Sequence, residues 1–107
     1  MYTVTFTRNH VNYINFQYPV RKTASTLNKA INYIGLNKPT NSLEHYIIDV
    51  ISDDSDFQFT VILSPEYIYI TFTGYGTRVY DYSHAVSARM FIEITAHLMG
   101  CDSFEEE

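Results

Sequence analysis

Apolar and polar residues alternate at the start of the chain. Residues 2–7 alternate between large apolar side chains and threonines, all good strand formers, which predicts a half-buried strand. A turn is predicted over residues 8–10. Residues 11–18 alternate again and predict a second strand, which ends at Pro19 because proline cannot donate to a sheet ladder. The two strands form a predicted hairpin.

The period changes after this hairpin. From Leu27 onward, apolar residues recur at i, i+3, i+4 and i+7, which predicts an amphipathic helix over residues 23–34. Either Thr23 or Ser25 can cap its start, because a side-chain hydroxyl accepts a hydrogen bond from a free N–H of the first turn. Gly35 suits the left-handed position that often follows a helix.

Residues 43–51 fit two periods at once. A helical stripe begins at Leu43, with Ser42 before it as a cap. The apolar residues at 46, 48 and 50 also alternate as they would in a strand, and β-branched residues are frequent in the segment. We favour a short helix here.

The strongest strand signal lies in the middle of the chain. Residues 57–63 and 67–73 both alternate, and a tight reversal at residues 64–66 joins them. This pattern predicts a second hairpin. The side chains expected to point into the core are Phe57, Phe59, Val61, Leu63, Ile68, Ile70 and Phe72.

The C-terminal part of the chain predicts a short strand and a long helix. Residues 74–76 form a connection to a strand over residues 77–82, and Ser83 is expected to cap a helix that ends at Gly100. Large apolar residues are expected to turn one side of this helix toward the core. They are Val86, Met90, Phe91, Ile94 and Leu98.

Together these elements predict a two-layer α+β domain, with an antiparallel sheet of about five strands and two or three helices packed mainly on one face. Residues 1–107 are expected to form a single domain with a frayed acidic tail at residues 102–107. No stretch approaches the ~20 apolar residues of a membrane span, and the N-terminus lacks a secretory signal pattern. We expect a cytoplasmic protein that contacts no membrane, in the host cytoplasm if the gene is viral.

Charge is distributed unevenly along the chain. The segment before Glu44 carries +5 and no acidic residue, whereas the segment from Glu44 onward carries −10, for a net charge of −5. Such asymmetry bears on partners and association rather than on the fold. The alternative is that the two signs interleave in the folded domain. The basic residues of the first segment are Arg8, Arg21, Lys22, Lys29 and Lys38.

The sequence contains no motif for catalysis or cofactor binding. Residues 74–76 lack the third glycine of a phosphate-binding loop, and residues 53–56 lack the central glycine and final glutamate of a calcium loop. Asp81, Ser83 and His84 are near neighbours in sequence, whereas the members of a catalytic triad usually converge from separate elements. We therefore expect no enzymatic activity, no catalytic residues and no cofactor.

Cysteine and histidine do not predict a metal site. Cys101 is the only cysteine in the chain, which rules out an intrachain disulfide. His97 lies four residues before it, but the helix is expected to end at Gly100, and one cysteine offers no paired-ligand motif. We expect no bound metal.

Two tyrosines are candidates for binding a partner. If the alternate residues of their strand face the helices, Tyr67 and Tyr69 point outward, beside Ile62 and either Tyr80 or Tyr82. Tyrosine is frequent at interface hot spots because it buries a large area at little entropic cost and keeps a hydroxyl for hydrogen bonding. Ordinary cross-strand packing is the alternative explanation for these side chains.

The favoured function is that of a small non-enzymatic inhibitor or adaptor. Acidic segments would steer it to a basic surface on a protein partner, such as a nucleic-acid-processing complex, and block it by steric occlusion or by mimicry of phosphate charge. Proteins of this type include the anti-CRISPR and anti-restriction proteins that phages and mobile elements encode against host defence. The predicted partner-binding residues are Asp53, Asp54, Asp56, Glu66, Tyr67 and Tyr69.

Two other functions remain open at this point. The basic N-terminal half could bind nucleic acid, with Lys22 and Lys29 contacting phosphates, although the acidic half would repel them. The chain could also be a self-assembling structural module in which the +5 half of one copy meets the −10 half of another. The sequence does not decide between a monomer and a homo-oligomer.

Overall fold

The part of the chain that the structure describes folds into one antiparallel sheet with two α-helices. The computed structural model describes residues 1–10 and 20–100. Its elements are β1 (Tyr2–His10), β2 (Val20–Ala24), α1 (Leu27–Asn32), β3 (Glu44–Ser52), β4 (Gln58–Leu63), β5 (Tyr67–Phe72), β6 (Thr77–Asp81) and α2 (Ala85–Gly100). The six strands are hydrogen-bonded in the order β2-β1-β3-β4-β5-β6. The strand predicted over residues 11–18, Cys101 and the tail at residues 102–107 lie outside the described residues.

A hydrophobic core lies between one face of the sheet and the helices. In β4 and β5 every second residue is buried, as their alternation predicted. Both α1 and α2 pack against this face. The predicted α+β class with an antiparallel sheet is therefore confirmed, with six strands rather than about five and with two α-helices. The core side chains of the central hairpin are Phe59, Val61, Leu63, Ile68, Ile70 and Phe72.

The prediction of a helix over residues 43–51 is wrong, because this segment forms strand β3. It pairs with β1 on one side and with β4 on the other, so tertiary pairing decides between the two periods. Ile48 and Val50 point into the core, as strand alternation requires. The turn predicted over residues 8–10 is also wrong, since these residues continue β1 opposite the start of β3.

Helix α1 is shorter than the predicted helix over residues 23–34. Thr23 belongs to the edge strand β2, where it lies opposite Thr3, and is not a helix cap. Thr26 is the N-cap instead, and its hydroxyl accepts a 3.2 Å hydrogen bond from the backbone N–H of Lys29. The left-handed glycine of the described residues is Gly74, with φ 90°, rather than Gly35.

Helix α2 turns a different side toward the sheet than the sequence predicted. Its buried residues are Ala88, Ile92 and Ala96, and Phe91 is half-buried. Small alanines let the helix axis approach a sheet whose core side chains are bulky, so the large residues of α2 need not face inward. Four of the five predicted core residues are exposed instead, at 77%, 54%, 56% and 65%, namely Val86, Met90, Ile94 and Leu98. Neither described α-helix is long and apolar enough to cross a membrane.

Tyr82 joins the start of the last helical segment to the sheet. Its hydroxyl donates a 2.6 Å hydrogen bond to the carbonyl oxygen of Ser64, in the turn between β4 and β5. Burial raises the pKa of Tyr82 to about 12. In the unfolded chain a tyrosine ionises near its ordinary pKa of ~10, so alkali favours the unfolded state between these two values.

We expect Tyr82→Phe to lower the free energy of unfolding by about 1 kcal/mol at pH 7, the usual net value of a neutral hydrogen bond. The stability contributed by Tyr82 is fully present below pH ~10 and declines as the pH rises toward 12. The difference between the two proteins should therefore narrow above pH ~10. Urea unfolding followed by circular dichroism, at pH 7 and at a pH above ~10, measures this difference in the free energy of unfolding. The exposed Tyr75→Phe is the control. A difference that stays constant with pH would contradict the prediction.

Candidate functional site

The sheet face opposite the helices, here called the open face, carries a row of apolar residues. The strand registers place Ile47 beside Ile62, Ile62 beside Tyr69 and Tyr69 beside Val79. These four residues therefore form one line across β3, β4, β5 and β6. Val79 is 49% exposed, and the other three are half-buried.

Tyr67 lies beside this row, two residues before Tyr69 in β5. Its ring lies edge-on to that of Tyr69, with the two centroids 6.3 Å apart, and the residue is 43% exposed. The predicted outward direction of both tyrosines agrees with their positions in β5. We call Ile47, Ile62, Tyr67, Tyr69 and Val79 the tyrosine patch.

Sequence reasoning identified only part of this patch. Ile62 does lie beside Tyr69, as expected. Tyr80 instead faces the helices, with its ring 6.1 Å from that of Phe91, and Tyr82 is bonded to the β4–β5 turn. Ile47 was missed because its segment was predicted to be a helix, although the alternation of β3 already placed it opposite the core residues.

Acidic side chains flank the tyrosine patch. Glu66 is exposed in the turn that precedes Tyr67, and Asp81 lies opposite Tyr67 in the register of β5 and β6. Asp49 lies further along the open face, where its carboxylate accepts a 2.7 Å hydrogen bond from the hydroxyl of Thr60. The patch is therefore apolar at its centre and negative around it.

The predicted acidic turn lies at the opposite end of β4 from Glu66 and Tyr67. Asp53 accepts a 3.0 Å hydrogen bond from the Thr3 hydroxyl, and Asp54 lies 3.4 Å from the N-terminal amine of Met1. β4 separates the two ends by roughly 20 Å at ~3.4 Å per residue. The structure thus brings Glu66, Tyr67 and Tyr69 together at one end, and Asp53, Asp54 and Asp56 together at the other.

Several basic side chains lie on the helix side of the sheet. The ammonium group of Lys22 lies 5.1 Å from the ring centroid of Tyr33, and the guanidinium of Arg78 lies 4.7 Å from that of Phe91. Arg89 donates a 2.8 Å hydrogen bond to the carbonyl oxygen of Ile34. On the open face, Arg21 occupies the edge strand β2, opposite Thr5. Because β2 is two strands away from β3, where the tyrosine patch begins, Arg21 does not border the patch. The charged groups that flank the patch are therefore the carboxylates of Asp49, Glu66 and Asp81.

Asp81, Ser83 and His84 form a small surface cluster before α2. The Ser83 hydroxyl donates to Asp81 Oδ1, and His84 Nδ1 lies 2.8 Å from the same oxygen. The hydrogen bonds from Ser83 and then His84 lower the pKa of Asp81 below its ordinary value. Ser83 lies inside a short 3₁₀ turn that precedes α2, and its hydroxyl is bonded to Asp81. The prediction that Ser83 caps α2 is therefore wrong.

This cluster does not have the geometry of a catalytic triad. In a triad, one imidazole nitrogen contacts the serine and the other contacts the carboxylate. Here a single nitrogen, Nδ1 of His84, faces both Asp81 Oδ1 and the Ser83 hydroxyl, the latter at 3.2 Å. Within residues 1–10 and 20–100, no three His, Cys, Asp or Glu side chains converge as metal ligands would. The tyrosine patch with its acidic flanks is the better candidate for function.

No protein-family model, curated protein or solved structure matches this chain. The candidate site is accordingly defined by its own geometry and charge. Its two features are an apolar, tyrosine-containing row on an open sheet face and the carboxylates around that row. Apolar area and surface charge are the two properties through which protein surfaces generally recognise partners.

Proposed function

We propose that this protein is a non-enzymatic inhibitor or adaptor that binds a protein partner through the tyrosine patch. The observation that carries the proposal is the continuous row from Ile47 to Val79 on the open face, with Tyr67 packed beside Tyr69. Interface cores have this composition, apolar and aromatic at the centre with a polar rim. Tyr67 and Tyr69 would supply most of the affinity.

The acidic flanks support a partner with a basic surface. Glu66 and Asp81 border the tyrosines, and the acidic turn at residues 53–56 lies at the opposite end of β4. Charges at the rim of an interface mainly raise the association rate, because they steer the encounter over long distances. A nucleic-acid-processing complex presents such a basic surface, and covering it would exclude the nucleic acid by steric occlusion or charge mimicry. Counter-defence proteins of phages and mobile elements are one setting for this activity.

The first test is capture of the partner with the tagged chain from lysate of the source organism, with and without nuclease. A stoichiometric protein that survives nuclease treatment is expected. The purified partner is then titrated with Tyr69→Ser, which should weaken binding by at least about 30-fold, the loss typical of a hot-spot residue. Tyr75→Ser is the matched control, because Tyr75 is 65% exposed in the β5–β6 turn and lies outside the patch.

Two outcomes would contradict the proposal. Equal loss of affinity in Tyr69→Ser and Tyr75→Ser would remove the tyrosine patch from the interface. Loss of every captured partner on nuclease treatment would favour direct nucleic-acid binding, and Lys22→Glu with Lys29→Glu should then weaken retention on DNA or RNA.

The charge component has its own test. Replacing Asp53, Asp54 and Asp56 together by lysine is expected to slow association by about 10-fold or more at low salt and far less at high salt. The fold should remain intact, because these side chains are exposed and make only surface contacts with Met1 and Thr3. Stopped-flow association kinetics measure the effect. An unchanged rate at low salt would remove electrostatic steering by this turn.

A further inference from the structure

Helix α2 carries an apolar ridge on the side that faces away from the core. The ridge consists of Val86, Met90, Ile94 and Leu98, which are 77%, 54%, 56% and 65% exposed. Because Ala88, Ile92 and Ala96 already face the core, this helix is apolar on two opposite sides. Helices of this kind are normally covered on both sides. The ridge is therefore a second surface, separate from the open face of the sheet.

The spacing of the ridge is suited to packing against a copy of itself. Its four residues follow each other at intervals of four, which is the i±4 ridge of a helix. Two such ridges interlock when the helix axes cross at about −50°, the commonest class of helix packing. Around a two-fold axis between Met90 and Ile94, Met90 of one copy meets Ile94 of the other, and Val86 meets Leu98. An identical chain automatically supplies the matching spacing.

The charges beside the ridge are also self-complementary. Arg89 and Glu93 lie on the flank of α2 nearest α1 and form an ion pair at 3.3 Å within one copy. In an antiparallel two-fold pair the same flanks meet, which brings Arg89 of one copy toward Glu93 of the other. The guanidinium group has five N–H donors, so it can contact a second carboxylate while keeping its bond to the Ile34 carbonyl oxygen. A chain with net charge −5 thus meets no like-charge repulsion from these two residues.

The size of the ridge limits the area of the contact. From Val86 to Leu98 it extends about 18 Å at 1.5 Å per residue, and a helix laid across it would cover on the order of 400 Å² per copy. This is within the range of large apolar surface patches but below the ~800 Å² per partner of a standard interface. A reversible dimer is the expected product.

We propose that the apolar ridge of α2 is a homodimer interface, in which two copies of the chain pack their α2 helices antiparallel around a two-fold axis. The contact is smaller than a standard interface, so the dimer is expected to be weak and reversible. It leaves both open faces free, so one assembly presents two tyrosine patches. The contact is isologous and apolar, unlike the head-to-tail pairing of oppositely charged halves that the sequence left open.

Sedimentation equilibrium of the untagged chain between about 1 μM and 1 mM tests the proposal, because a weak dimer dissociates on dilution. Monomer is expected at the lower limit and dimer at the upper limit. Ile94→Asp should raise the dissociation constant by more than about 100-fold, because each dimer would bury two unpaired carboxylates. Val79→Asp is the matched control on the tyrosine patch, at 49% exposure, and should leave dimerisation unchanged.

Salt and dilution identify the contact further. An apolar interface persists in about 1 M NaCl, where pairing of charged halves is screened. Dilution should shift the amide NMR signals of residues around Met90 and Ile94 and leave those of β5 unchanged. A chain that stays monomeric to about 1 mM overturns the proposal, as does a dimer that Ile94→Asp leaves intact or Val79→Asp disrupts. Circular dichroism of both variants at about 1 μM confirms that each monomer is folded.

Discussion

Replacing Phe59 by alanine is expected to lower the free energy of unfolding by about 3–5 kcal/mol, the usual cost of removing a buried aromatic ring. Phe59 is 0% exposed, and its ring stacks on that of Phe72 with the centroids 4.7 Å apart. It lies in β4, next to Val50 of β3 and Phe72 of β5, at the centre of the sheet. The surrounding strands cannot close the resulting cavity without breaking their ladders. Domains of this size are stable by about 5–15 kcal/mol, so the loss is a large fraction of the total.

Urea unfolding followed by far-UV circular dichroism measures this effect. The midpoint should fall while the slope with denaturant stays the same, because the folded structure is retained. Phe57→Ala is the matched control on the same strand side, since Phe57 is only partly buried and lies at the rim, 5.8 Å from Phe59. We expect it to cost about 1–2 kcal/mol, in proportion to the smaller area that it buries. Equal losses for the two variants would contradict this description of the core.

The central hairpin was predictable because only one assignment fits its pattern. In residues 57–73 the inward side chains are large and apolar at every second position, so a helix would scatter them around its surface. A one-residue shift would turn them all to solvent, which also fixes the register. Phe59, Ile70 and Phe72 are accordingly buried where alternation placed them.

Residues 43–51 were not predictable in the same way. Their apolar side chains satisfy both the helical and the strand period, so local pattern leaves the choice open. The choice is made by β1 and β4, which offer unpaired backbone groups on both sides of β3. Of the two partners, β1 is distant in sequence, whereas β4 follows β3 after a short turn. Strand alternation would place Ile47 and Asp49 on the open face, but only the pairing with β1 and β4 shows that the strand period applies.

Helix α2 was misjudged for a different reason. A period of 3.6 identifies the helix, but two opposite sides of α2 are apolar, and periodicity does not say which side is covered by the sheet. The side with the larger residues was predicted to face the sheet, and this prediction is wrong. The size of the side chains on the sheet decides, because Ile68, Ile70 and Phe72 leave room for alanines rather than for leucine and methionine.

Ile92 and Ile94 provide a direct test of this orientation, because the same residue type occupies the two sides of α2. Ile92 is 1% exposed and Ile94 is 56% exposed. Ile92→Ala should lower the free energy of unfolding by about 2–5 kcal/mol, whereas Ile94→Ala should change it by less than about 0.5 kcal/mol. Urea unfolding near 1 μM protein keeps the chain monomeric, so any α2 dimer does not stabilise either variant.

The result also shows which side of α2 faces the sheet, and so whether the apolar ridge is exposed. If Ile92→Ala is the costly substitution, the alanine side of α2 faces the sheet and the large apolar residues lie outside, as the ridge requires. If Ile94→Ala costs more, α2 is rotated, Val86, Met90 and Ile94 belong to the core, and no ridge remains for a second copy to contact. The tyrosine patch is unaffected in either case, because it lies on the other face of the sheet and is defined by the registers of β3 to β6. The comparison therefore separates the evidence for dimerisation from the evidence for partner binding.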